Sequence, residues 1–244
     1  MFDPWVAADL SHSEDKFAPS TVSTGAETSI QKEIRFSEVA LIDRDDVVRC
    51  VEHRARDFQG WRPDIHIERL RTQRYGIGGH YRHHFDWSGA SREADRVSTF
   101  MVYVDADCEG GGRSKSTLSY KFFLGPMKQT LENKPLDIHP QHVRYPKHLF
   151  TNVFLGTEFP RIKMPNVQKG RWCEFLECGN NRPDGEYGDD TGVTFKPIKG
   201  NAIFWENLGP DGRGYEQTFH AGLPVKSGTK VGLNIWSWGP ARRR

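Results

Sequence analysis

The sequence predicts a mainly β fold, a sandwich or jelly roll with one supporting helix towards the N-terminus. Three observations carry this. After Trp61 the chain becomes a succession of short extended runs punctuated by Gly, Pro and Asp. Only one segment, 43–59, places apolar residues at helical spacing. Strands do not alternate with helical patterns, which argues against βαβ units.

Residues 1–35 are polar, rich in Ser and Thr and punctuated by Pro4 and Pro19, and are expected to form an arm or peripheral layer. The helix follows. Asp43, Asp45 and Asp46 crowd its start, where carboxylates suit free N–H groups and the positive dipole end. Val47, Val48, Val51, Ala55 and Phe58 form its apolar stripe and Gly60 ends it. Extended runs are expected at 66–75, 98–104, 150–155, 172–177, 193–196, 201–205, 217–220 and 230–238, with clear alternation in 98–104 and 232–238. Two stretches break the pattern. Residues 113–149 are basic, with Arg113, Lys115, Lys121, Lys128, Lys134, Arg144 and Lys147 against Glu132 and Asp137. Residues 174–192 are acidic, with Glu174, Glu177, Asp184, Glu186, Asp189 and Asp190 against Arg182. Both are expected to be solvated loops, the alternatives being mutual attraction over an active-site mouth or steering of an anionic substrate by the basic one.

The 244 residues suffice for one large domain or two small ones. Lys and Arg number 34 against 32 acids, so whole-chain charge gives no reason to expect nucleic acid as a partner. A mean hydropathy of −0.68 and the lack of a long apolar run argue against a membrane span. Aromatic residues at 12% exceed what disordered chains carry. The four cysteines form no C-x-x-C, and Cys173 and Cys178 are expected to stay reduced. Met1–Leu10 lacks a basic start followed by an apolar run, so the expected location is cytoplasmic. Nothing in the sequence fixes the oligomeric state.

Chemistry concentrates in 74–87. His84 and Asp86 are two apart, so on a strand both leave the same face and offer a metal one imidazole and one carboxylate. Alone this is weak, since roughly 0.7 such pairs arise by chance. His220 would add a second imidazole. Two His and one carboxylate on one side of a metal leave positions open and suit non-haem Fe(II) binding a cosubstrate and O2. Lys230 would then place a buried ammonium at the far end of the pocket, a costly charge that a dicarboxylate cosubstrate would neutralise. His80 and His83 are expected to be neighbours of this site and not ligands. Gly78 and Gly79 lack the Lys-Ser/Thr of a phosphate loop.

Five ordered blocks make a resemblance plain: Arg-Tyr-x-x-Gly-x-x-Tyr-x-x-His-x-Asp at 74–86, Thr99 to Asp105 with Glu109-Gly110-Gly111, Gly156 to Pro160, Pro197 to Trp205, and His220 with Pro224, Val225, Gly228, Lys230 and Trp236. From about 35 to 238 the chain resembles the catalytic domain of the prolyl 4-hydroxylase family of 2-oxoglutarate- and Fe(II)-dependent dioxygenases. The resemblance implies a double-stranded β-helix (a jelly-roll, cupin-like fold) over 36–240, with insertions at about 113–149 and 174–192. It implies iron ligation by His84, Asp86 and His220, and 2-oxoglutarate binding by Lys230 with Tyr75 or Tyr103. Met101, Tyr81 and Trp236 would shape the substrate pocket. Fe(II), 2-oxoglutarate and O2 would be required, with ascorbate as a supporting reductant. The expected reaction is hydroxylation of an unactivated C–H bond with release of succinate and CO2. No separate peptide-binding domain is visible, so a small metabolite or amino-acid-like substrate is expected. Peptidyl-prolyl 4-hydroxylation and a catalytically silent binding module are the alternatives.

Overall fold

The computed structural model describes residues 16–23, 27–60, 62–91, 93–107, 156–164, 171–178 and 191–241. The basic stretch 113–149, the run 150–155, the centre of the acidic stretch and the tail Arg242–Arg244 lie outside them.

The N-terminal layer supplies short edge strands: β1 (Ala18–Pro19), the hairpin of β2 (Val22–Ser23) and β3 (Thr28–Ser29), β4 (Arg35–Phe36) and β5 (Glu38–Leu41). Helix α1 (Asp46–Phe58) begins three residues later than the acidic cluster suggests. Asp45 is its N-cap, accepting from the Val48 N–H at 2.8 Å. Asp43 stays outside, bonded to Lys16 at 2.9 Å and Arg69 at 2.5 Å. Val48, Val51 and Ala55 face inward and are fully buried.

The run 66–75 divides into β6 (His66–Ile67) and β7 (Arg71–Tyr75), and β8 (His80–His84) follows across a tight turn. Gly79 sits where an added Cβ would lie 2.7 Å from the Gly76 carbonyl oxygen, so no larger residue fits without moving the backbone. The long strand β9 (Ala94–Asp107) contains the alternating 98–104 run, and β10 (Thr157–Lys163) opens the next described segment.

Two expected strands are corrected. Within 172–177, Trp172–Glu174 forms a 3-10 turn and only Leu176 makes a bridge, to Phe195. Here Cys173 and Cys178 are joined by a disulfide with their Cα atoms 5.4 Å apart, contrary to the reduced state expected of them. The turn brings the two Cα atoms within bonding range, and such bonds persist in oxidising surroundings. Within 217–220, Glu216–Thr218 is likewise a 3-10 turn that delivers the chain into a strand starting only at His220. The remaining strands are β11 (Thr191–Phe195), β12 (Ala202–Glu206), β13 (His220–Gly222) and β14 (Thr229–Pro240).

These strands form two main sheets. The larger has the order β1-β5-β7-β14-β9-β12, with β6 also pairing to β14; the smaller has the order β11-β10-β13-β8-β4. Alternation along β9 and β14 sorts side chains by face. Phe100, Val102, Val104, Leu233 and Ile235 pack with α1 in one core. At about 1.5–3 kcal/mol per buried large apolar side chain, this layer is the chief stabiliser of the larger sheet. Thr99, Met101, Tyr103, Lys230 and Trp236 lie on the opposite face, which the smaller sheet covers. A second core of Tyr103, Phe159, Leu176, Val193, Ile203 and Trp205 joins the two inner faces at one end.

Candidate metal centre

His84 closes β8 and its register partner in β13 is His220, so the two imidazoles are cross-strand neighbours with ring centroids 4.3 Å apart. In each ring Nδ1–H donates to the carbonyl two residues earlier, His84 to Arg82 and His220 to Thr218, both at 2.8 Å. A carbonyl only accepts, so both protons are held at Nδ1 and both Nε2 atoms are left as free bases. Those atoms face Asp86, at 3.7 Å from Oδ1 for His84 and 4.0 Å from Oδ2 for His220. Ligand atoms of all three residues lie within 4.8 Å of one another.

Asp86 reaches this position by a route that strand parity alone does not describe. Strand β8 stops at His84 and Asp86 occupies the bend beyond it. Its carboxylate is drawn inward by Thr99 of β9, whose hydroxyl donates to Oδ2 at 2.8 Å. Thr99 in turn accepts from Asn207 Nδ2 at 3.0 Å. Both Thr99 and Asn207 are completely buried. Neither stands out in the sequence; a polar residue mid-strand on the face of Met101 and Tyr103 was the available signal for Thr99.

Burial, and then the neighbouring His220, pull the His84 imidazole down to about 3. Burial works against ionisation of Asp86, but His220, His84, the Thr99 hydroxyl and Arg96 outweigh it and hold its carboxyl below the usual range. At neutral pH His84 is therefore a neutral nitrogen base beside the Asp86 carboxylate, as binding of a divalent cation requires of both.

A narrow cavity of about 40 Å3, open to solvent at its mouth, extends from His84 and His220 between the sheets. Lys230 lies within it at 4% exposure, its Nζ 5.0 Å from the Tyr75 ring centroid. Tyr75 and Tyr103 both line the cavity. The Tyr75 hydroxyl donates to Gln73 Oε1 at 2.6 Å, and the Tyr103 hydroxyl donates to Thr157 Oγ1 at 2.9 Å. Met101 and Tyr81 line it too, and the Tyr81 ring stacks on His84 at 3.7 Å. Trp236 differs. It shares the inner face but lies outside the lining, its ring 3.9 Å from the Arg96 guanidinium and 5.3 Å from that of Arg71. His83 points away, with Nε2 2.8 Å from Glu158, and both His80 ring nitrogens face carbonyls, of Gly78 and Glu33.

A family model described as the 2OG-Fe(II) oxygenase superfamily matches residues 70–238. The chain belongs to this superfamily. Its two facing sheets are the double-stranded β-helix of these oxygenases, which use Fe(II), 2-oxoglutarate and O2. The donor set fits: two imidazole nitrogens and a carboxylate converge, and a buried ammonium sits in the adjoining cavity. The chain is 35% identical over 228 residues to prolyl 4-hydroxylase subunit alpha-3 of Homo sapiens, covering 89% of this chain and 28% of that protein. It is 26% identical over 230 residues to subunit alpha-2 of Gallus gallus, covering 91% and 29%. The chain thus spans under a third of these relatives. Among solved structures it resembles the 2OG complex of the viral collagen prolyl hydroxylase vCPH from Paramecium Bursaria Chlorella virus-1. The TM-score is 0.54 at 21% identity, over 97% of this chain and 91% of that one, a likeness of fold. Among the described residues no helix is long and apolar enough to cross a membrane.

Proposed function

We propose that this chain hydroxylates an unactivated C–H bond, with a prolyl ring as the leading target. The observation that carries the reading is the convergence of His84, Asp86 and His220 at one end of the cavity that holds Lys230. His84 Nε2, His220 Nε2 and the Asp86 carboxylate would hold Fe(II), with Thr99 fixing the carboxylate and the two backbone carbonyls fixing the rings. Lys230 would neutralise the distal carboxylate of 2-oxoglutarate, and the Tyr75 and Tyr103 rings wall that end of the cavity against water. When bound, iron and 2-oxoglutarate supply oxidation by O2, giving succinate, CO2 and the hydroxylated product. Met101 and Tyr81 would shape the substrate's approach, and Tyr81 holds the His84 ring by stacking.

The names of the curated relatives support a prolyl substrate. A carboxylate-bearing amino-acid substrate is favoured by the unpartnered guanidinium donors of Arg35 and Arg71. Anaerobic addition of Fe(II) and 2-oxoglutarate should give a weak visible charge-transfer band that His84→Ala abolishes. Succinate release is then measured with proline-containing peptides and with free amino acids. A protein showing neither the band nor substrate-stimulated succinate would be a binding module, and the hydroxylase reading would fall.

A further inference from the structure

Three guanidinium groups act on Tyr81, the ring that stacks on His84. Arg96 is satisfied: its Nε and NH2 donate to the two oxygens of Glu68 at 2.6 and 3.0 Å. Arg35 and Arg71 are satisfied only in part, Arg35 by Ser37 and Tyr75 and Arg71 by the charge of Glu68. Arg35, on β4, is 6% exposed and lies 4.6 Å from the Tyr81 ring centroid. Its Nε donates to Ser37 Oγ at 3.2 Å, while its NH2 is buried with no partner. Arg71 shares its face of β7 with Gln73 and Tyr75, both of which line the cavity. Its Nε is buried with no partner, and so is the indole N–H of Trp236 beside it.

All three orphaned groups are donors. Buried donors without acceptors are rare in folded proteins because each forfeits its hydration for nothing. The nearby carboxylates are committed, Glu68 to Arg96 and Asp86 to Thr99 and the imidazoles. The arginines also oppose one another: burial, then the charges of Arg35 and Arg96, lower the pKa of Arg71. Two like charges, Arg35 buried and Arg71 half-buried, each with a sealed donor short of an acceptor, are a poor way to stabilise a fold. A planar, acceptor-only anion relieves both defects at once, since a guanidinium fork matches a carboxylate.

We infer that Arg35 and Arg71 form a carboxylate subsite beside the metal centre, so that the substrate is an amino acid or C-terminal residue whose own carboxylate lies close to the reacting carbon. This deepens the hydroxylase reading and rests on it for the oxidation of the captured substrate, but the capture itself does not depend on turnover.

The test uses the protein loaded with Mn(II) and 2-oxoglutarate, which holds substrate without oxidising it. Calorimetry compares free proline, N-acetylproline and acetyl-Gly-Pro with the matching C-terminal amides. The acids should bind about 10- to 100-fold more tightly than the amides, the range expected of charge-assisted pairing. Free proline against acetyl-Gly-Pro tells a free amino acid from a peptide terminus. In Arg71→Gln the preference should collapse towards unity, while the ligand-free variant should melt no lower than the parent because a repulsion has gone. Equal binding of acids and amides by the parent, no binding of any acid, or a preference retained in Arg71→Gln overturns the inference. A clear fall in melting temperature would mark Arg71 as structural and also overturn it. If the variant does not fold, the acid-to-amide ratio of the parent decides alone. Acid preference without succinate release keeps this subsite and sinks the hydroxylase reading; succinate release that favours amides does the reverse.

Discussion

Thr99→Val is the sharpest probe of how this chain prepares its metal centre. The substitution is close to isosteric and removes one hydroxyl, the donor to Asp86 Oδ2 at 2.8 Å and the acceptor for Asn207 Nδ2 at 3.0 Å. A hydrogen bond to a charged acceptor is worth about 1.5–3 kcal/mol. Asn207, whose Oδ1 already lacks a partner, would lose its other contact, at about 1–3 kcal/mol for the orphaned amide. Fold stability should therefore fall by about 2.5–6 kcal/mol. Metal affinity should fall by about 10- to 100-fold, as is typical when the support of a ligand is removed. Anaerobic competition of Fe(II) between the protein and a chromophoric chelator measures the affinity, and urea melts measure stability. Thr99→Ser keeps the hydroxyl and loses one methyl, so it should retain near-parent affinity at a cost of about 1 kcal/mol in stability. The reasoning is refuted if Thr99→Val binds iron like the parent, or if Thr99→Ser is as weak as Thr99→Val.

In the metal-free protein, pH should act through His84, whose pKa is lowered from 6.5 to about 3. Its contribution is intact above pH 6.5 and is lost progressively as pH falls towards 3, because the unfolded chain takes up the proton first. Urea melts in chelator across that window should show a steeper decline for the parent than for His84→Asn; parallel declines would contradict it. Gly79→Ala pushes a methyl against the Gly76 carbonyl at 2.7 Å and should cost about 1–3 kcal/mol, read from the same melts. Lys230→Ala should weaken 2-oxoglutarate binding far more than Fe(II) binding, measured by separate titrations, and equal losses would remove its assigned role.

Much of this was legible in the sequence where a short-range rule governs. The stripe Val48, Val51 and Ala55 announced α1 because helical periodicity is local. His84 and Asp86 were legible as a pair, although Asp86 proved to lie on a bend and not on the strand. The segment 172–177 misled because its aromatic and apolar residues mimic a strand, whereas a 3-10 turn and a five-residue disulfide separation shape it. Thr99 and Asn207 were invisible for another reason. They are 108 positions apart, and their link exists only because β9, β12 and the loop after β12 are brought together by sheet pairing. The same holds for Arg35 and Arg71, ordinary surface residue types until β4 and β7 carry them to the two sides of Tyr81's surroundings. Trp236 was assigned to the pocket by its likeness to the family, and its place beside the Arg71 and Arg96 guanidinium groups needed the third dimension.

The three candidate metal ligands are not anchored to one layer of the sandwich. His84 and His220 belong to the small sheet, while Asp86 is tethered through Thr99 to the large one. An ion shared among them would act as a rivet through both plates, and chelation should loosen the seam between them before either plate frays. Hydrogen exchange at β8 and β13 would then report iron occupancy in a protein whose chemistry had never been started.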